Sequence, residues 1–205
     1  MKLIAPLIVS LGFPVAATLH AQTEHRLSEA HVHGTAQLTV LQEGRKILVE
    51  FITPAANIVG YEDSPKNDTQ IGQIESALHL LETVDSVLRL SDLDCDLVRS
   101  QSSATGQFAV HMYASEADNE HETIVNDTAG HDHKEHDIVD LEAIHAGFQA
   151  NFELDCRFET TPNEFAVTAF ESFNGIEILQ LKWVLNGLQG AEQLSRSSRK
   201  VVKVQ

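Results

Sequence analysis

The sequence predicts an α+β fold: a single domain with a mainly antiparallel sheet, two helices on one face and a His/Asp-rich metal-binding loop. Three observations predict it. Apolar and polar residues alternate around residues 31–40, 47–51, 148–156 and 176–185, the period-two signature of half-buried strands. Two stretches, near residues 68–88 and 161–173, instead carry apolar residues at helical spacing. Strands and helices come in runs, without the regular alternation that builds a parallel sheet.

Composition narrows the function classes. The chain has 205 residues, with 30 acidic against 14 basic side chains and a formal charge of -16. That balance opposes binding to a nucleic-acid backbone, which needs a Lys and Arg footprint. Lys2, an apolar run over residues 3–17 and small residues up to Ala21 form the pattern of a secretory signal peptide, residues 1–21. Pro6 and Pro14 and the short apolar core argue against a retained membrane helix, and no later stretch is apolar enough to span. Residues 22–205 are then one exported domain with an acidic insertion at 115–137. Its two cysteines, Cys95 and Cys156, most simply form a disulfide in an oxidising compartment; thiolate ligation of zinc is the alternative, although neither has a CxxC partner.

Taken in order, His31-Val32-His33-Gly34-Thr35-Ala36-Gln37-Leu38-Thr39-Val40 reads as a strand with Val32, Ala36, Leu38 and Val40 on its apolar face. Side chains two apart in a strand lie roughly 7 Å apart on the same side, which lets His31 and His33 converge on one ion. Solvated strand histidines are the plain alternative. Residues 42–45 supply a turn and Ile47, Val49 and Phe51 the return strand. The connection over residues 53–65 holds two prolines and Gly60, and its Glu62 and Asp63 either add oxygen ligands or solvate the loop. Asp68 or Thr69 caps a helix with the stripe Ile71, Ile74, Leu78, Leu81, Val84 and Leu88; His79 lies beside that stripe and reads as a surface residue.

Residues 95–101 and 107–114 read as two strands about a turn at 102–106, the second placing His111 at the mouth of the acidic loop. After the loop, His145 leads into Phe148, Ala150, Phe152, Leu154 and Cys156, the clearest strand in the chain. Thr161-Pro162-Asn163-Glu164 has the form of a capping box, so a second helix is expected before Asn174-Gly175, with a strand as its rival. Residues 176–185 read as a strand, residues 187–194 as a turn with a short helix, and residues 201–204 as an edge strand.

The acidic loop carries the densest ligand chemistry. Within residues 116–137, His121, His131, His133 and His136 are interleaved with Glu120, Glu122, Asp132, Glu135 and Asp137. Imidazole and carboxylate both suit borderline divalent ions such as zinc. The surrounding negative charge concentrates cations, and a metal must displace any imidazole proton, so capture weakens as pH falls. The plain alternative is a solvated acidic linker, since a short His-rich tract is a compositional signal only.

Several of these motifs agree with one family. The stretch from His31 to Val40, then Pro54-Ala55-Ala56-Asn57-Ile58-Val59-Gly60-Tyr61-Glu62-Asp63-Ser64-Pro65, closely resembles the front of the ZrgA-like family of periplasmic zinc-binding proteins. The His-bearing insertion, the strand ending at Cys156, Phe170-x-x-Phe173 and Gly187-Leu188-Gln189 followed by Leu194 extend the resemblance over nearly the whole mature chain. It implies a secreted zinc-binding protein of Gram-negative bacteria that assists zinc import, usually beside an ABC-type transport system. It raises His31 and His33 to the leading ligand candidates. Where the family often has His after the Gly-aromatic-Glu unit this chain has Asp63, a carboxylate that zinc also accepts. The insertion is sparser than the family's long His/Asp runs, which favours one or two sites over storage of several ions.

The expected function is therefore capture of Zn2+ through His31, His33, Asp63, His111, His121, His131, His133, His136 and His145. Copper and nickel share this ligand chemistry. A zinc hydrolase is the weaker class, because HExxH and other recognisable catalytic spacings are absent from the sequence. An exported adaptor with a structural metal is the third.

Overall fold

Two runs of nine residues set the architecture. Thr35–Glu43 (β1) and Lys46–Pro54 (β2) are joined by the turn at Gly44 and Arg45 and pair antiparallel, so Leu38 meets Phe51 and Val40 meets Val49 on one face. The computed structural model describes residues 32–109, 145–198 and 201–204. In it Gly147–Cys156 (β5) adds along β2, placing Phe148, Ala150, Phe152 and Leu154 on the same side. Cys95–Thr105 (β4) closes that edge of the sheet. On the other flank Ile178–Leu185 (β7) pairs parallel to β1, so Leu179, Leu181, Trp183 and Leu185 extend the buried face. Leu188–Ser195 (β8) completes the six-stranded order β4-β5-β2-β1-β7-β8.

Three short strands form a second sheet. Leu88–Arg89 (β3), Glu164–Val167 (β6) and Val201–Lys203 (β9) pair in the order β3-β6-β9. Leu88, Phe165, Val167 and Val202 from this sheet join Ile74, Ala77 and Leu81 in one apolar cluster with the large sheet's buried face. Phe165 meets Trp183 edge-on at 6.1 Å between ring centres, and Phe51 stacks on Phe173 at 5.9 Å. Each fully buried side chain of this size contributes about 1.5–3 kcal/mol. From Ala36 onward, the apolar alternates predicted in β1, β2, β5 and β7 face the core.

The helical expectations need more correction. Asp68–Leu80 (α1) is a helix, but Asn67 is its cap, accepting from the Gln70 amide through its side chain. The expected stripe outruns the helix: Val84 falls in a 3-10 turn and Leu88 in β3. The expected second helix is replaced by β6 and a single turn, Ala169–Ser172 (α2). Alternate residues Phe165 and Val167 are buried in β6. Arg196 then takes the carbonyls of Phe170, Phe173, Asn174 and Ile176, holding the chain in its turn after α2. Residues 188–194 are strand rather than turn and helix, because Asn186 (φ 47) and Gly187 (φ 89) make a tight hairpin turn. β4 runs through the expected turn at 102–105, and residues 107–109, expected in a strand, are helical.

Cys95 and Cys156 are bridged, resolving the alternative of thiolate ligation. They are register partners at the end of the β4–β5 pair far from Thr105 and Gly147. The sequence separation of 61 corresponds to about 4 kcal/mol of removed chain entropy in the unfolded state. Reduction, or Cys95→Ser with Cys156→Ser, is expected to lower unfolding free energy by about 3–5 kcal/mol in urea titration. A loss below about 1 kcal/mol would show the bridge to be dispensable.

Candidate metal centre

Three connections end together at the edge of the large sheet opposite the disulfide. His33 lies in the turn before β1, His145 immediately before β5, and Glu62 in the connection after β2. Of the expected pair His31 and His33, the described residues hold only His33, whose carboxylate partner is Glu62. His33 precedes β1 rather than lying in it, and Val32, expected on the apolar face, is exposed. His31 lies outside the described residues.

The Glu62 carboxylate stands between the two imidazoles. Its Oε1 is 3.0 Å from His33 Nε2 and its Oε2 is 3.1 Å from His145 Nδ1. The Glu62 side chain is 10% exposed, against 68% for His33 and 65% for His145. Oε1 is buried yet receives no directed hydrogen bond, although the His33 ring is close. A buried carboxylate oxygen without a donor is costly unless a cation or proton meets it. The three groups stand in a row, imidazole, carboxylate, imidazole. Among the described residues, no three His, Cys, Asp or Glu side chains form a cluster able to hold an ion. Their donor types, imidazole nitrogen and carboxylate oxygen, are ones that zinc takes.

The local fold fixes each member. Gly34 sits at φ +81, with its N–H donating to Asn57 Oδ1 at 2.7 Å and its carbonyl accepting from the amides of Glu177 and Ile178. His33 is thus attached to a pinned residue. Ala146 is buried and its carbonyl accepts from the Ala55 amide at 2.9 Å, which fixes the chain beside His145. Glu62 follows Tyr61, whose ring meets Phe108 at 5.4 Å and whose hydroxyl donates to the Gln70 carbonyl at 2.8 Å. Desolvation pushes the Tyr61 phenol above its ordinary pKa of 10.0, keeping it a donor. On the other side, the Ser64 amide donates to Gln107 Oε1 at 3.1 Å.

Asp63 is exposed, and its neighbour Glu62 is the carboxylate that meets the imidazoles. The sequence signal for Glu62 was its place directly after Gly60-Tyr61, where an anchored aromatic sets the next side chain. His79 is exposed and pairs with Glu82 at 3.1 Å on the end of α1. His111, His121, His131, His133 and His136 lie outside the described residues, as does the acidic insertion. Its position in the chain is clear: residues 110–144 join helical Ala109, next to buried Phe108, to His145. A shallow cleft over Leu41, Leu48 and Val184 lies at the opposite end of the sheet and is lined by none of the three site residues. No helix among the described residues is long and apolar enough to cross a membrane.

Residues 30–202 match the family model described as ZrgA family zinc uptake protein. The matched span covers His33, Glu62, His145 and both cysteines. Among curated proteins, none matches the chain.

Gly34 carries a direct test of the local frame. A side chain at φ +81 is strained, and an added Cβ meets the Glu177 side chain at 3.4 Å. Gly34→Ala is expected to destabilise by about 1–2 kcal/mol in denaturant titration. Unchanged stability would mean that this turn does not hold the left-handed conformation.

Proposed function

The chain belongs to the ZrgA family of zinc uptake proteins, and we propose that it works in the periplasm as a zinc-capture protein that passes Zn2+ to an ABC-type transport system. The observation that carries the reading is the Glu62 carboxylate, buried between His33 and His145 with one oxygen lacking a hydrogen bond. His33 Nε2 and His145 Nδ1 supply nitrogen donors and Glu62 an oxygen, the ligand types that zinc takes. The exposed imidazoles leave the ion accessible to incoming and departing ligands, which suits cargo rather than a sealed structural metal. Ligand-type side chains in residues 116–137, which precede His145 in the chain, collect zinc from solution for that firmer site.

Three donors alone do not make a catalyst without a positioned general base and substrate pocket, and in this reading zinc is cargo. Export and periplasmic location rest on the leader-like residues 1–21 and on the disulfide, a bond that persists in oxidising compartments.

Zinc titration by calorimetry of the untagged chain tests the site. Glu62→Ala, and His33→Ala with His145→Ala, are each expected to weaken the tightest binding at least about tenfold. Affinities equal to wild type in both would sink the proposed centre. The adaptor reading, with a structural metal, makes a different demand. The apolar core and the disulfide include none of the three site residues, so chelation is expected to leave a folded apo protein. Collapse of the melting transition on adding chelator would favour the structural metal instead.

A further inference from the structure

We infer that Asn57 is the positioning residue of this centre, holding His33, Glu62 and His145 in one frame without touching the ion. The inference rests on the zinc-site reading above. Asn57 is buried in the 3-10 turn Ala55–Asn57, directly after β2. Its Oδ1 accepts from the Gly34 amide at 2.7 Å, and its Nδ2 donates to the Thr35 carbonyl and to Thr53 Oγ1, each at 3.0 Å. Those two carbonyl and hydroxyl acceptors assign the amide's orientation, since exchanging its oxygen and nitrogen would leave an N–H facing an N–H at Gly34.

The same turn reaches the other two ligand carriers. The Ala55 amide donates to the carbonyl of Ala146, beside His145. Val59 and Gly60 donate to Ala55 and Ala56, which fixes the start of the segment leading to Glu62. From behind, the Gly175 amide donates to the Asn57 carbonyl, and a Cβ at Gly175 would come within 2.5 Å of that oxygen. The Asn57 backbone is therefore clamped, and its side chain transmits that position to Gly34. Three chain segments far apart in sequence share one hydrogen-bonded bracket, of which Asn57 supplies the link to His33. The site's imidazoles are themselves exposed and make no comparable set of fixed contacts, so their placement depends on this backbone frame.

The test uses the full chain and zinc alone, and reads two quantities: calorimetric affinity, and the rise in Tm caused by zinc, which follows binding to the folded state. The loss caused by Glu62→Ala defines the share of both that belongs to this centre, separating it from ions held elsewhere on the chain. Asn57→Ala is expected to weaken that share at least tenfold and to remove most of the same increment in Tm. Val202→Ala, a buried truncation in the sheet that carries no site residue, lowers Tm without zinc but should keep the full zinc increment. In a Glu62→Ala background, Asn57→Ala should reduce zinc affinity no further, since a positioning residue acts only through the group it positions.

If Glu62→Ala behaves as wild type, the zinc-site reading itself fails. If Glu62→Ala loses affinity while Asn57→Ala keeps it, or if Val202→Ala loses as much, the site stands and the role of Asn57 is overturned. Should Asn57→Ala not fold, Thr53→Val removes one acceptor of the Asn57 amide at nearly constant volume. A several-fold loss of zinc affinity is then expected, and wild-type affinity in that variant overturns the inference.

Discussion

One buried sheet face governs the molecule. Leu38, Val40, Val49, Phe51, Ala150, Phe152, Leu181 and Trp183 occupy one side of four neighbouring strands, and the register joins them laterally across the sheet. Because side chains alternate with a period of two, a slip of one residue in any of these strands would turn its apolar set to solvent. The packing therefore fixes register, and register fixes where each strand begins and ends. β1, β5 and β7 all start, and β2 and β4 both end, at the same edge of the sheet. The turns carrying His33, Glu62 and His145 meet there as a consequence.

The parallel pairing of β1 with β7 adds a second constraint. It lays the segment before β7 beside the turn before β1, so the Glu177 and Ile178 amides both reach the Gly34 carbonyl. An all-antiparallel arrangement at this position would bring a hairpin end instead and leave that carbonyl without these donors. The disulfide lies at the opposite end of β4 and β5. It limits opening of the strand pair from the side remote from the site, leaving the site edge to be fixed by hydrogen bonds and by Tyr61 against Phe108.

Much of this frame was legible in the sequence, and the reasons are physical. Period-two alternation is local information, so β1, β2, β5 and β7 could be read from their own residues. The bridge of Cys95 and Cys156 followed from an even cysteine count. The misreadings came where local signals compete. Thr161-Pro162-Asn163-Glu164 resembles a helix start, but pairing with β3 and β9 claims residues 164–167 as strand. Asn186-Gly187 is a strong hairpin signal that makes β8 readable in retrospect. At the site, two histidines two apart suggested convergence along a strand, whereas the observed partner of His33 is Glu62, beside a Gly34–Asn57 hydrogen bond that spans 23 residues. Such a contact depends on tertiary register and leaves no periodic trace.

On the proposed zinc-capture reading, the balance of exposure suits a small centre that must both bind and release. A fully enclosed ion pair or metal exchanges slowly because every ligand must move through packed protein. Here only the carboxylate is sunk in the structure, while both imidazoles reach solvent. The buried carboxylate supplies the favourable term for a cation, since burial strips its charge of water. In the proposed site the exposed groups would supply the route, because an incoming ligand could replace one imidazole before the next is lost. A chain with a formal charge of -16 further raises the local cation concentration. That field speeds arrival without adding a contact, and it weakens with ionic strength while the buried oxygen's demand does not. On the proposed reading, arrival and retention of zinc are set by different parts of the molecule, the first by the charge of the chain and the second by one carboxylate fixed at the edge of a packed sheet.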